Sequence, residues 1–101
     1  MLNSRKVDEQ KLNDLWKAIL KLERTSECAK FFRDLCTLEE LRAMSERWQA
    51  VQKIAQNQPY RRIANDIGIS TTTVARVAQW LNHGEGGYRL ILKRLGLNIK
   101  N

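Results

Sequence analysis

The sequence predicts an all-α protein of five to six helices built around a helix-turn-helix. Three observations carry that expectation. Leu, Ile, Ala, Lys, Arg, Glu and Gln supply much of the 101 residues, and β-branched runs are short. One proline and five glycines leave few breaks. Apolar residues recur at three- and four-residue steps over most of the chain. A composition 43% hydrophobic and 29% charged suits a packed globular chain and not a disordered one. The length fits one domain, 1–101, near the size where a partner subunit helps to complete a core.

The first element runs from about Asp8 to Leu22, because Leu12, Leu15, Trp16, Ile19, Leu20 and Leu22 share one helical face. A break at Arg24-Thr25-Ser26 precedes a short helix carrying Phe31, Phe32 and Leu35. Cys28 falls early in it and Cys36 at its end. Their spacing matches no common zinc or redox pattern, so two reduced thiols are expected, with no metal and no cofactor. Thr37 followed three residues later by Glu40 is a capping box, so a long helix starts there. Leu38, Leu41, Met44, Trp48, Val51, Ile54 and Ala55 carry its apolar stripe to about Gln56, within a central segment 37–57.

Asn57-Gln58-Pro59 ends that helix and opens the next, since proline lacks an amide donor and suits a first turn. Two short helices follow at Pro59–Asp66 and Ser70–Leu81, in the segment 59–81. The run NHGEGG is read as a loop, and the last helix spans Tyr88 to Leu95 within 88–96, with Gly96 as its C-terminal cap.

The spacing inside PYRRIANDIGISTTTVARVAQWL, Pro59 to Leu81, is what identifies the motif. Two short helices crossing steeply around a tight turn need a small residue where they touch and a permissive backbone where the chain turns. With Tyr60 as the first position, Ala64 is fifth, Gly68 ninth and Val74 fifteenth. Ala64 allows close approach, and Gly68 accepts a left-handed conformation without a Cβ penalty. Ile63, Ile67, Ile69, Val74 and Val77 close the core between the helices, and Ser70 caps the second.

Charge points to a polyanionic partner. The net charge is +7, yet residues 1–49 hold ten basic and nine acidic residues, whereas residues 50–101 hold eight basic ones against Asp66 and Glu85 alone. The second half therefore carries nearly all of the excess, as a nucleic-acid or anionic-membrane partner requires. No apolar run is long enough to span a membrane and the N-terminus lacks a signal-peptide stretch, so a cytoplasmic protein is expected. A helix-turn-helix presents the first turn of its second helix to the major groove of double-stranded DNA. The outward residues are then Ser70, Thr71, Thr72, Thr73, Arg76 and Gln79, while Arg61 and Arg62 meet phosphates. Two other function classes remain open. One is an adaptor that uses the motif only to pack against a protein. The other is an enzyme, disfavoured because His83 is the sole histidine and the acids form no inward pair or metal-ligand cluster.

The order of TLEELRAMSERWQAVQKIA, the motif, and LNHGEGGYRLIL resembles the Trp repressor superfamily, and within it the Trp-repressor-like YerC/YecD branch. The resemblance covers about Leu35 to Leu95, and STTTVARVAQWLNHGEGGY is its most specific part. It implies an all-helical intertwined homodimer in which residues 1–36 of both subunits build one core, using Leu12, Trp16, Ile19, Phe31 and Phe32. Two recognition helices about 34–36 Å apart would then meet a roughly palindromic operator. The resemblance also implies an effector pocket. Arg47 and Arg76 match the two arginines that sandwich the indole of tryptophan in the Trp repressor, and Thr37 matches a threonine near it. Val77 replaces the glycine against which the ligand packs, and Trp80 replaces the serine that helps hold its amino group. Both substitutions add bulk. A small-molecule effector is thus compatible with the pattern, but free tryptophan is not expected to bind, with Val77 and Trp80 filling its place.

Overall fold

The computed structural model describes residues 7–97 and 99. Among them are six helices and no strand: α1 (Glu9–Ile19), α2 (Thr25–Leu35), α3 (Leu38–Ala55), α4 (Tyr60–Ile67), α5 (Thr71–His83) and α6 (Gly87–Arg94). The chain divides into two compact units, one ending at Leu38 and one beginning at Glu39. No described helix is long and apolar enough to cross a membrane.

In the first unit, Asp8 caps α1 by accepting from the amides of Gln10 and Lys11 at 2.9 and 3.3 Å. The helix stops at Ile19, three residues before the expected end. The Leu20, Lys21 and Leu22 amides turn back onto Trp16, Ala18 and Ile19, so Leu22 continues the apolar spacing without continuing the helix. The break expected at Arg24-Thr25-Ser26 lies earlier, since Thr25 and Ser26 already belong to α2. The Glu27 carboxylate accepts from the Glu23 amide at 2.8 Å and pulls the helix start forward, overriding the turn preference of the two hydroxyl residues. Phe31 and Phe32 meet edge to face at 5.6 Å. Neither α1 nor α2 buries a single residue, although both are strongly amphipathic; Trp16 stands 52% exposed and Leu20 82%. Cys28 and Cys36 are free thiols.

The second unit has a conventional core. Val51, Ile63, Val74, Val77 and Leu92 are its largest fully buried side chains, with Ala50, Ala55 and Ala64 where backbones approach. Trp48 and Tyr88 pack against it, their rings 6.3 Å apart. Helix α3 begins at Leu38, immediately after Thr37, as the capping pattern requires. It ends where Asn57 takes φ 63°, with the Asn57 and Gln58 amides donating to the Ile54 and Lys53 carbonyls. Pro59 is the N-cap of α4 and not its first helical residue.

The helix-turn-helix has the geometry its spacing predicts. Ala64 and Val74 are buried, and Gly68 sits at φ 87° with the Gly68 and Ile69 amides both donating to the Ala64 carbonyl. Ser70 caps α5 through its Oγ, 3.0 Å from the Thr73 amide. A Cβ on Gly68 would meet no atom within 4 Å, so the requirement for glycine is conformational. Gly68→Val should therefore cost about 2 kcal/mol of unfolding free energy. Gly68→Asn should cost well under half of that, because asparagine tolerates the left-handed region, as Asn57 already does in this chain. Denaturant unfolding of the two variants checks this; equal stability would remove the turn argument.

Two boundaries differ from expectation after the motif. Helix α5 runs through Asn82 and His83, and Gly87 already opens α6, so the loop is only Gly84-Glu85-Gly86. Polar residues and glycines read as punctuation when they lie next to one another. Here the Gly84 amide still bonds the Trp80 carbonyl at 2.8 Å and keeps the helical ladder going to its end. Gly96, at φ 74°, closes α6: its amide and that of Leu97 bond the Lys93 and Leu92 carbonyls.

Candidate nucleic-acid interface

Helix α5 carries two stripes of candidate site residues, and one residue belongs to both. At 100° per residue, Thr72, Arg76 and Gln79 stand at i, i+4 and i+7 and share one face. All three are exposed, as are Ser70 and Thr71 at the helix start. Thr73, Arg76 and Trp80 form a neighbouring stripe. Thr73 was expected among the outward residues, but it is half-buried, its hydroxyl lying 3.0 Å from Ser70 Oγ. The cap that starts the helix draws it inward.

The second stripe faces α3 across a cleft of about 300 Å³ lined by Ala43, Glu46, Arg47, Ile69, Thr73, Arg76 and Trp80. Arg47 and Arg76 are thus brought to one cleft, with Trp80 as a further wall. Val77 does not line it. It is fully buried in the core, so its bulk goes into packing between helices. Thr37 belongs to the other compact unit and is not among the lining residues. Ala43 and Glu46 were not singled out from the sequence, while Thr73 was expected on the outward face and Ile69 in the core between the helices; all four line the cleft. The signal for the first two was present, since Ala43, Glu46 and Arg47 stand at i, i+3 and i+4 on one face of α3, as Thr73, Arg76 and Trp80 stand at i, i+3 and i+7 on one face of α5. Trp80, 47% exposed, also lines a second hollow of about 600 Å³ with the Gly84–Gly86 loop and with Gly87 and Tyr88 of α6.

On α4, Arg61 is exposed and forms no ion pair or hydrogen bond among the described residues. Arg62 Nε lies 3.7 Å from Asp66 Oδ2, one turn on, with both side chains largely exposed. Such a pair contributes under about 1 kcal/mol, so Arg62 can exchange Asp66 for a phosphate at little cost. His83 is exposed at the end of α5, and no group of three or more His, Cys, Asp or Glu able to hold a metal occurs among the described residues.

Residues 10–96 match the family model described as Trp repressor protein. The chain belongs to the Trp repressor family. It is 33% identical over 90 residues to the uncharacterized protein YerC of Bacillus subtilis (strain 168), an alignment covering 89% of this chain and 86% of that one. The crystal structure of a TrpR-like protein from Eubacterium eligens ATCC 27750 superposes with a TM-score of 0.85 at 36% identity, over 97% of this chain and 99% of that one. A candidate Trp repressor from Staphylococcus aureus gives the same score and identity over 99% of both chains. The all-α, Trp-repressor-like fold expected from the sequence is therefore the fold observed.

Proposed function

We propose that this Trp repressor family member is a sequence-specific DNA-binding transcriptional regulator, a cytoplasmic repressor that acts as a homodimer on a roughly palindromic operator and does not use tryptophan as co-repressor. The observation that carries the reading is the exposed face of α5. Thr72, Arg76 and Gln79 stand in one stripe, behind a Ser70-capped start, on a helix whose crossing with α4 is set by Ala64 and Gly68. Arginine and glutamine have the fork geometries that pair with guanine and adenine edges, and threonine offers a hydroxyl and a methyl group. Arg61 and Arg62, at the start of α4, are placed to meet phosphates, which hold register and supply the sequence-independent part of the affinity.

Dimerisation is supported by the apolar faces of α1 and α2, none of whose residues is fully buried within one chain. The exclusion of tryptophan is supported by Trp80, which already brings an indole to the cleft shared by Arg47 and Arg76. With Arg76 on the boundary between cleft and reading face, a cleft without ligand leaves its guanidinium free to turn toward DNA.

The test is selection of a random duplex library on the purified protein with no amino acid added, followed by sequencing of the retained duplexes. A two-fold motif with half-sites about one helical turn apart is expected. Adding L-tryptophan should change neither the motif nor its enrichment. Absence of enrichment under both conditions would favour an adaptor that uses the helix-turn-helix to bind a protein.

A further inference from the structure

Arg89 is an exposed basic residue of the positive half whose guanidinium is nonetheless engaged by acceptors of the protein itself. It lies in the first turn of α6, and its Nε donates to the Leu81 carbonyl at 3.0 Å while Nη2 donates to Asn82 Oδ1 at 3.1 Å. Both acceptors are in the last turn of α5. A helix leaves its final carbonyls without amide partners; that of Trp80 is taken by Gly84, and that of Leu81 by Arg89. The bond is charge-assisted, and the guanidinium also sits where the negative end of the α5 dipole favours a cation.

The loop between the helices makes this contact possible. Gly86 takes φ 89°, and at Gly84 a Cβ would collide with the Trp80 carbonyl oxygen, so the chain folds back tightly enough to return α6 to the end of α5. Leu81 and Leu92 anchor the two helices in the common core. Arg89 adds the directional part of the joint, since hydrophobic contact alone permits sliding and a planar fork with two fixed acceptors does not.

Direction matters because α5 is a lever. Thirteen residues span about 20 Å, so a tilt of about 5° at the C-terminal end displaces the N-terminal end by nearly 2 Å. Hydrogen bonds to base edges are lost over a smaller displacement than that. Contacts to phosphates, made by long flexible side chains, tolerate it. We infer that Arg89 is a positioning residue: it ties α6 to the last turn of α5, sets the angle at which Thr72, Arg76 and Gln79 are presented, and is not itself a phosphate contact. The inference rests on the DNA-binding reading above.

The experiment compares wild type, Arg89→Met and Arg89→Lys in two measurements: affinity for the selected duplex and for a scrambled duplex over a range of salt, and amide hydrogen exchange of His83 and Gly84. Methionine keeps the aliphatic bulk and removes the donors. Arg89→Met is expected to bind the selected duplex about tenfold more weakly, to bind the scrambled duplex within twofold of wild type with the same salt slope, and to exchange faster at His83 and Gly84. Lysine can reach one acceptor at a time, so Arg89→Lys should recover part of each loss. A mere loss of stability would lower the active fraction on both duplexes equally and would overturn the positioning role. Equal weakening of both duplexes with a salt slope smaller by about one would show a phosphate contact and overturn the inference; so would unchanged exchange and affinity, the behaviour of a solvated charge. If wild type itself prefers no duplex, the DNA-binding reading fails and the positioning role fails with it. That case is distinguished by the wild-type affinities alone, while faster exchange in Arg89→Met would still record the tie between the helices.

Discussion

Arg76→Ala and Thr72→Ala should each lower affinity for the selected duplex by roughly ten- to a hundredfold, as expected for loss of about 1–3 kcal/mol of base contact, with little effect on a scrambled duplex. Arg61→Ala should behave differently. It removes a charge proposed to meet phosphate, so both duplexes should weaken by a similar factor and the salt slope should fall by about one. The three residues differ in position in the way this contrast needs: Thr72 and Arg76 share the exposed stripe of α5, and Arg61 lies on α4. The residues are exposed and contribute nothing to the core, so the variants should unfold at wild-type denaturant concentrations. Fluorescence anisotropy with labelled duplexes at several salt concentrations gives all the quantities. Equal losses for the three variants would place readout elsewhere. Arg76 is the sharper of the two reading positions because it also lines the cleft with Arg47. If it serves a ligand and not DNA, Arg76→Ala and Arg47→Ala should have matching effects.

The parts of this architecture that were legible in the sequence are those governed by local stereochemistry. Gly68 could be placed in the left-handed region from its position alone, because few other residues enter that region cheaply. Ser70 could be named as a cap from its hydroxyl and the helix that follows. Ala64 and Val74 could be assigned to the buried contact from the geometry of crossing helices. Element ends were less legible where one residue type serves two purposes. Thr25 and Ser26 read as a break but lie in α2, because a carboxylate four residues beyond Glu23 decides where that helix begins. Asn82 and His83 read as loop for the same reason of composition, yet they complete the last turn of α5. Within the site, the stripe of exposed residues on α5 followed from helical period, whereas the inward turn of Thr73 depended on a hydroxyl pair and the burial of Val77 on the whole core. The bonds of Arg89 were not legible at all. They span seven and eight residues across a glycine loop, and no periodicity connects positions on either side of a turn.

Trp16→Glu should convert the protein from dimer to monomer and weaken binding to the two-fold operator by more than a hundredfold. Helices α1 and α2 are eleven residues each, below the length at which a helix is stable by itself in water, and neither buries a residue within the chain. Their amphipathic faces therefore require a surface to cover them, and in a two-fold dimer the same face of a second copy provides it. About half of the Trp16 side chain is uncovered, on the order of 100 Å², which corresponds to about 2–3 kcal/mol when buried. Symmetry counts that loss twice, and a carboxylate placed in the apolar contact adds its own desolvation cost. A monomer reaches one half-site only. It forfeits the factor of about 10²–10⁴ that joining two half-site contacts supplies, while its helix-turn-helix, which belongs to the other compact unit, should keep its fold. Ala18→Glu is the matched control, since it makes the same charge change on the opposite, solvent-facing side of α1. Sedimentation and operator binding of the two variants separate the possibilities. If Trp16→Glu remains dimeric and binds as wild type does, the face of α1 is not where two copies meet. If it becomes monomeric yet binds the full operator undiminished, the protein reads DNA one half-site at a time, and its two-fold assembly serves some purpose other than recognition.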